Sequence, residues 1–96
     1  MSKFKGTPGP WGVRESSLSV SVVGQNGEVV FHESDKRIPG VMDDARLIAA
    51  APELLEALCK TRRTIQALID DGHMGYVDLR SSIDAAIAKA LGEDAT

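Results

Sequence analysis

Hydrophobic and polar positions change period once along this chain. Before about residue 33 apolar residues tend to alternate with polar ones; from residue 43 onward they recur every three or four. Leu18-Ser19-Val20-Ser21-Val22 has the period of a half-buried strand, with Leu18, Val20 and Val22 on one side and Ser17, Ser19 and Ser21 on the other. Gly24-Gln25-Asn26-Gly27 follows as a turn signal, because Asn and Gly tolerate positive φ. Glu28-Val29-Val30-Phe31-His32 then reads as the returning arm of a hairpin. Trp11 to Arg14 can add a short first strand. Glu33 to Met42, with the Pro39-Gly40 pair, reads as a loop.

The second half reads as helix. Leu47, Ala51, Leu54, Leu55 and Leu58 share one face, continued by Ile65, Leu68 and Ile69. Asp43 and Asp44 stand where an N-cap and a first-turn anion belong. Pro52 lacks an N–H and clashes with the carbonyl four residues back, which costs about 3 kcal/mol inside a helix and little at its start. The pattern therefore predicts a short helix over 44–50, a bend at Ala51-Pro52 and a longer helix over 52–70. A single kinked helix is the competing reading. Gly72 fits the residue just past a helix end. A last helix is predicted over 76–91, with Leu79, Ile83, Ala86, Ile87, Ala90 and Leu91 on one face, and Gly92 after it. Alanines at 49, 50, 57, 67, 85, 86 and 90 would allow close helix approach. The predicted class is α+β, a small antiparallel sheet (a hairpin or three strands) followed by a short helix and two antiparallel helices. A flexible lead-in over 1–10, one domain over 11–92 and a tail over 93–96 complete the expectation.

Two stretches carry a resemblance. Asp43-Asp44-Ala45-Arg46-Leu47-Ile48-Ala49-Ala50-Ala51-Pro52-Glu53-Leu54-Leu55-Glu56-Ala57-Leu58 resembles an N-A-R-L-I-A-A-A-P-E-L-L-E-A-L signature of small phage and prophage proteins. Thr7-Pro8-Gly9-Pro10-Trp11 is similar to the T-P-G-P-W start that accompanies it. Asp44 departs from the pattern, standing where the group has Asn, and an ionised Asp cannot donate a hydrogen bond there. The resemblance implies a phage or prophage origin and a setting in the bacterial cytoplasm. It does not imply an activity.

Composition narrows the function classes. The chain has 96 residues, 11 Lys plus Arg against 14 Asp plus Glu, and a net charge of -3, a balance that argues against nonspecific nucleic-acid binding. Aromatics are only 4%, so base-stacking platforms are scarce. The lone cysteine, Cys59, cannot form an intramolecular disulfide, and its place on a helix suits packing better than nucleophilic attack. The N-terminus has no apolar signal region, and no run approaches the ~20 apolar residues of a membrane span. His32 and His73 do not converge with other ligands on a metal site, and no cofactor is predicted. No pair of groups suggests acid–base or nucleophilic work, so the chain is read as a non-enzyme.

What remains is a candidate binding site. Lys36 and Arg37 in the 33–42 loop and Arg46 at the helix start could form an anion-binding edge, with Trp11 as a stacking face; Asp43 and Asp44 would compete with the anion. The plainer readings are that Trp11 fills the core and that the loop is a solvated charged segment. The serine face admits the same pair of readings, solvent exposure or a polar surface against a ligand or subunit. Lys60, Arg62 and Arg63 read as helix-surface charges or as a short patch for a phosphate or acidic partner. A small sheet with two helices leaves apolar surface to cover, which predicts a homo-oligomer. Two binding functions follow. One is sequestration of a nucleotide-type immune signal by a phage protein countering host defence, an order of elements that resembles some phage anti-defence sponges as a fold. The other is a protein-binding inhibitor or adaptor acting on a host defence complex or on another phage or host protein.

Overall fold

A computed structural model describes residues 4–93. Three strands, β1 (Gly12–Glu15), β2 (Val20–Val23) and β3 (Val29–Glu33), precede three helices, α1 (Val41–Ala49), α2 (Ala51–Asp70) and α3 (Val77–Leu91), with one 3-10 turn at Met74–Tyr76 leading into α3. The class is α+β, as predicted, and the sheet takes the three-stranded form. Of the predicted lead-in over 1–10 and tail over 93–96, residues 1–3 and 94–96 fall outside the described residues. The chain gathers into two compact units, one of Lys5–Glu53 and one that runs from Leu54 onward and includes Phe4, the boundary falling inside α2.

In the first unit the sheet is antiparallel with β2 in the middle. Val20 and Val22 are fully buried, and with Val41 and Ala45 of α1 they form the core. Trp11, Val30, Phe31, Met42, Ile48 and Ala49 pack around it. Burying a valine fully is worth roughly 1.5–3 kcal/mol, so the middle strand and α1 hold each other in place. Leu18 does not join this face: β2 starts at Val20, and Leu18 is 73% exposed in the turn before it. That turn is set by Ser16, whose hydroxyl accepts from the backbone N–H groups of Leu18 (3.3 Å) and Ser19 (3.0 Å), so local serine bonds end the alternation early.

The first helix starts earlier than its acids suggest. Gly40 takes the N-cap position at φ 81°, with no side-chain cap, and Val41 is already buried. Asp43 and Asp44 are thus first-turn residues rather than caps, each favourable to the helix dipole by about 0.3–1 kcal/mol. The stripe that decides the start is Val41, Met42, Ala45, Ile48 and Ala49. Leu47 lies off it and is 64% exposed. Helix α1 ends at Ala49, and α2 begins at Ala51 with Pro52 as its second residue, where no intrahelical N–H is required. The two-helix reading of the Pro52 region is therefore the correct one.

The Thr7–Trp11 stretch is built into this unit. The Trp11 indole Nε1 donates to the Thr7 carbonyl at 3.1 Å, closing the segment on itself. A Cβ on Gly9 would stand 2.7 Å from Pro52 Cβ, and one on Gly24 would stand 2.8 Å from Thr7 Cγ2. Thr7 thus lies against the hairpin turn, and Gly9 lies against the start of α2.

The second unit is a helical hairpin. Ile65 of α2 and Ile83 and Ile87 of α3 are buried, flanked by Leu55, Leu58, Cys59, Ile69 and Leu91. Cys59 is half-buried in this seam. The α3 face is rotated from the predicted one: Leu79, Ala86 and Ala90 are exposed, while Arg80, Asp84 and Ala88 are half-buried beside the isoleucines. Leu54, Ala57, Ala67 and Ala85 are likewise exposed, so the alanines do not form a close seam. The reason is polar. Asp84 accepts from Arg62 of α2, and Arg80 Nε lies 3.3 Å from its other oxygen, which turns this edge of α3 inward. Both helices end on glycine in the left-handed region. The His73 and Gly72 N–H groups bond the Leu68 and Ile69 carbonyls (3.0 and 2.9 Å), and Glu93 and Gly92 repeat the pattern on Ala88 and Lys89 (2.8 and 3.2 Å).

The fit of Gly9 against Pro52 is testable. Gly9→Ala forces a methyl group into a proline ring, and overpacking of this kind costs about 1–3 kcal/mol. Gly12→Ala meets nothing within 4 Å and serves as the control. Thermal unfolding should show a lowered midpoint for Gly9→Ala alone; equal midpoints for the two variants would refute the packing.

Candidate ligand-binding site

The four residues singled out in the sequence occupy different settings, all within the first unit. Trp11 is half-buried against the core and uses its N–H on Thr7. Arg46 projects from α1, more than half exposed, and holds Asp43 one turn back at 3.1 Å. Lys36 and Arg37 lie in the loop after β3. Lys36 Nζ holds Glu15 of β1 at 3.2 Å, and its backbone N–H donates to the Leu18 carbonyl at 2.9 Å. That last bond ties the loop to the β1–β2 turn.

Where loop and turn meet, they enclose an open depression of about 320 Å³ lined by Ser17, Leu18, Ser34, Asp35 and Arg37. Of the four predicted residues, only Arg37 lines it. The wall is mixed: two serines, one exposed leucine and one carboxylate–guanidinium pair. Such a mixture suits a small ligand with an apolar part and an anionic or hydrogen-bonding part.

Asp35 organises this place. Its Oδ1 accepts from the Arg37 backbone N–H (3.0 Å) and from Arg37 Nε (2.9 Å), and its Oδ2 accepts from an Arg37 terminal nitrogen (3.3 Å). The Arg37 side chain, and after it the Arg37 backbone N–H, holds the Asp35 carboxyl below its ordinary range, and Asp35 in turn raises Arg37. The pair is solvent-accessible, with the Arg37 side chain 89% exposed. Exposed pairs of this kind exchange partners at little cost.

Sequence reasoning passed over Ser34 and Asp35 as site residues. An Asp two positions before an Arg in a loop is a signal for a side-chain-to-backbone turn, and it was available. The pairing of this loop with the Ser17-Leu18 turn was not, because it depends on the sheet register.

Because its folded value is lowered, the Asp35 carboxylate contributes stability above the ordinary carboxyl pKa of about 3.9, and that contribution is lost as pH falls through the lowered value. A carbon-detected NMR titration should place Asp35 below the ordinary carboxyl value. Arg37→Ala should move it upward but not fully back, since the residue 37 backbone N–H remains. Identical titrations in wild type and variant would mean that the guanidinium does not hold the loop.

No helix among the described residues is long and apolar enough to cross a membrane. No curated protein and no solved structure matches the chain. The sequence model of the Salmonella phage P22 protein Y8K6 family matches residues 1–94. The two motifs noted above lie within that span, and the chain belongs to this phage protein family.

Proposed function

We propose that this phage protein acts by binding rather than by catalysis, in the host cytoplasm, and that it sequesters a small nucleotide-type ligand, countering a host defence signal. The observation that carries this reading is the depression beside Arg37, with a guanidinium, two hydroxyls and an exposed leucine around one small volume. The Arg37–Asp35 pair is exposed, so a phosphate can take the place of the carboxylate on the guanidinium at little cost. Membership of a phage family supports the setting. Homo-oligomer formation fits the second unit, whose single buried seam leaves Leu54, Met74, Tyr76, Val77 and Leu79 exposed.

The same exposed residues favour a second reading, in which the protein masks a host or phage protein. Native mass spectrometry of the protein purified from its bacterial host at low ionic strength separates the two. Sequestration predicts a defined oligomer carrying extra mass of nucleotide size, and Arg37→Ala should lose most of that mass. A charge-assisted contact of this type is worth about tenfold or more in affinity. Protein assemblies with a host partner and no added small mass would overturn the sequestration reading in favour of masking.

A further inference from the structure

The sheet has a second face, turned away from α1, and its composition is unlike that of the depression. Side chains alternate along each strand, so positions paired across the strands share a face. Val13, Val22 and Phe31 form one paired row, and Glu15, Val20 and Glu33 another; both lie on the α1 side, where Val20 and Val22 are buried. Arg14, Ser21 and His32 form the row between them and stand on the open face. The β2–β3 register shifts between Val22 and Val23, where Val30 and Phe31 both pack against the core; beyond this irregularity Gly12, Val23 and Val29 make the next row on that face.

Among the strand positions of this open face there is one cation and no carboxylate. The acids of β1 and β3, Glu15 and Glu33, are on the other side. Arg14 is exposed and has no ion-pair partner among the described residues, in contrast to Lys36, Arg37 and Arg46, each of which is held by a neighbouring acid. Beside Arg14 in register, the Ser21 hydroxyl and His32 Nδ1 are 2.7 Å apart. That bond fixes the imidazole over the middle strand. If the hydroxyl donates, the neutral ring carries its proton on Nε2, leaving an outward donor. A guanidinium, a hydroxyl and an imidazole then follow one another across three strands, with the exposed Val29 and its partner Val23 alongside.

We infer that the Arg14–Ser21–His32 row is an anion site that takes the phosphoryl group of a nucleotide-type ligand, with the ligand's apolar part lying on Val23 and Val29. This inference rests on the binding reading given above and names a second place on the same unit for the ligand's charge. Arg14 supplies two parallel donors in the fork geometry that matches a phosphate. Because it has no carboxylate to give up, its contact with an anion carries no exchange cost, unlike that of Arg37.

Two-dimensional amide and side-chain NMR with inorganic phosphate, adenosine monophosphate and adenosine tests it, each at constant ionic strength. Phosphate and adenosine monophosphate should shift Arg14, Ser21 and His32, and adenosine monophosphate should also shift Val23 and Val29. Arg14→Gln should weaken both by about tenfold, whereas Arg63→Gln, which removes an exposed cation from the other unit, should leave both unchanged. If phosphate leaves the row unshifted, or if Arg14→Gln binds as wild type does, the inference is overturned. Shifts confined to Ser17, Ser34 and Arg37 would overturn it while leaving the sequestration reading standing. Loss of mass on Arg37→Ala, together with intact phosphate shifts at Arg14, would support two separate anion contacts.

Discussion

A three-stranded sheet has one face that must be covered and no second sheet to cover it. The rest of the first unit follows from that constraint. Val20 and Val22 sit on the middle strand, so their side chains have neighbours on both sides and can be fully buried only if something lies on top. The next element in the chain does so at once. Gly40 turns the backbone into α1 in time for Val41 to reach the core, and Ala45, one turn later, is small enough to let the helix settle on the valines. The early helix start, the exposed first-turn acids and the exposure of Leu47 are all consequences of that seat.

The sequence revealed most where one interaction outweighs its rivals. The alternation around Val20 and Val22, the Gly24–Gly27 turn and the two glycine helix ends were legible because backbone geometry at those points leaves few options. Legibility failed where two periodic readings competed. In α3, a stripe through Leu79, Ile83, Ala86 and Ala90 scores well on apolar character. The folded helix instead turns Arg80 and Asp84 toward the seam, because Asp84 has Arg62 opposite it. A pattern that counts only apolar residues cannot see a carboxylate drawn inward by a cation on another helix. At Leu18 the failure was local: Ser16 captures the following backbone N–H groups, and the strand begins two residues late. The candidate site was legible in part for the same reason. Arg37 stands out as a loop cation, but the Ser17-Leu18 turn beside it is brought there by the fold.

The strands, the loop and the first helix of the first unit carry two kinds of cation. Lys36, Arg37 and Arg46 each have an acid within a few residues or across a strand, and each is ion-paired with it. Arg14 faces outward from a strand with Ser21 opposite it and, among the described residues, no ion-pair partner. The protein is net negative, and an open sheet face with no carboxylate at its strand positions repels an approaching anion less than that net charge implies.

The Thr7–Trp11 stretch and the Asp43–Leu58 stretch carry the resemblance to small phage proteins, and Gly9 and Pro52 bring the first against the second. They are far apart in the chain and adjacent in the folded unit, with Trp11 in the core beneath. What Gly9 and Pro52 form together is a joint in the scaffold, an internal clasp. A substitution elsewhere that keeps Gly9 and Pro52 leaves the clasp in place. The turn, the loop and the open sheet face lie outside it, so changes there alter what the surface presents without disturbing the clasp.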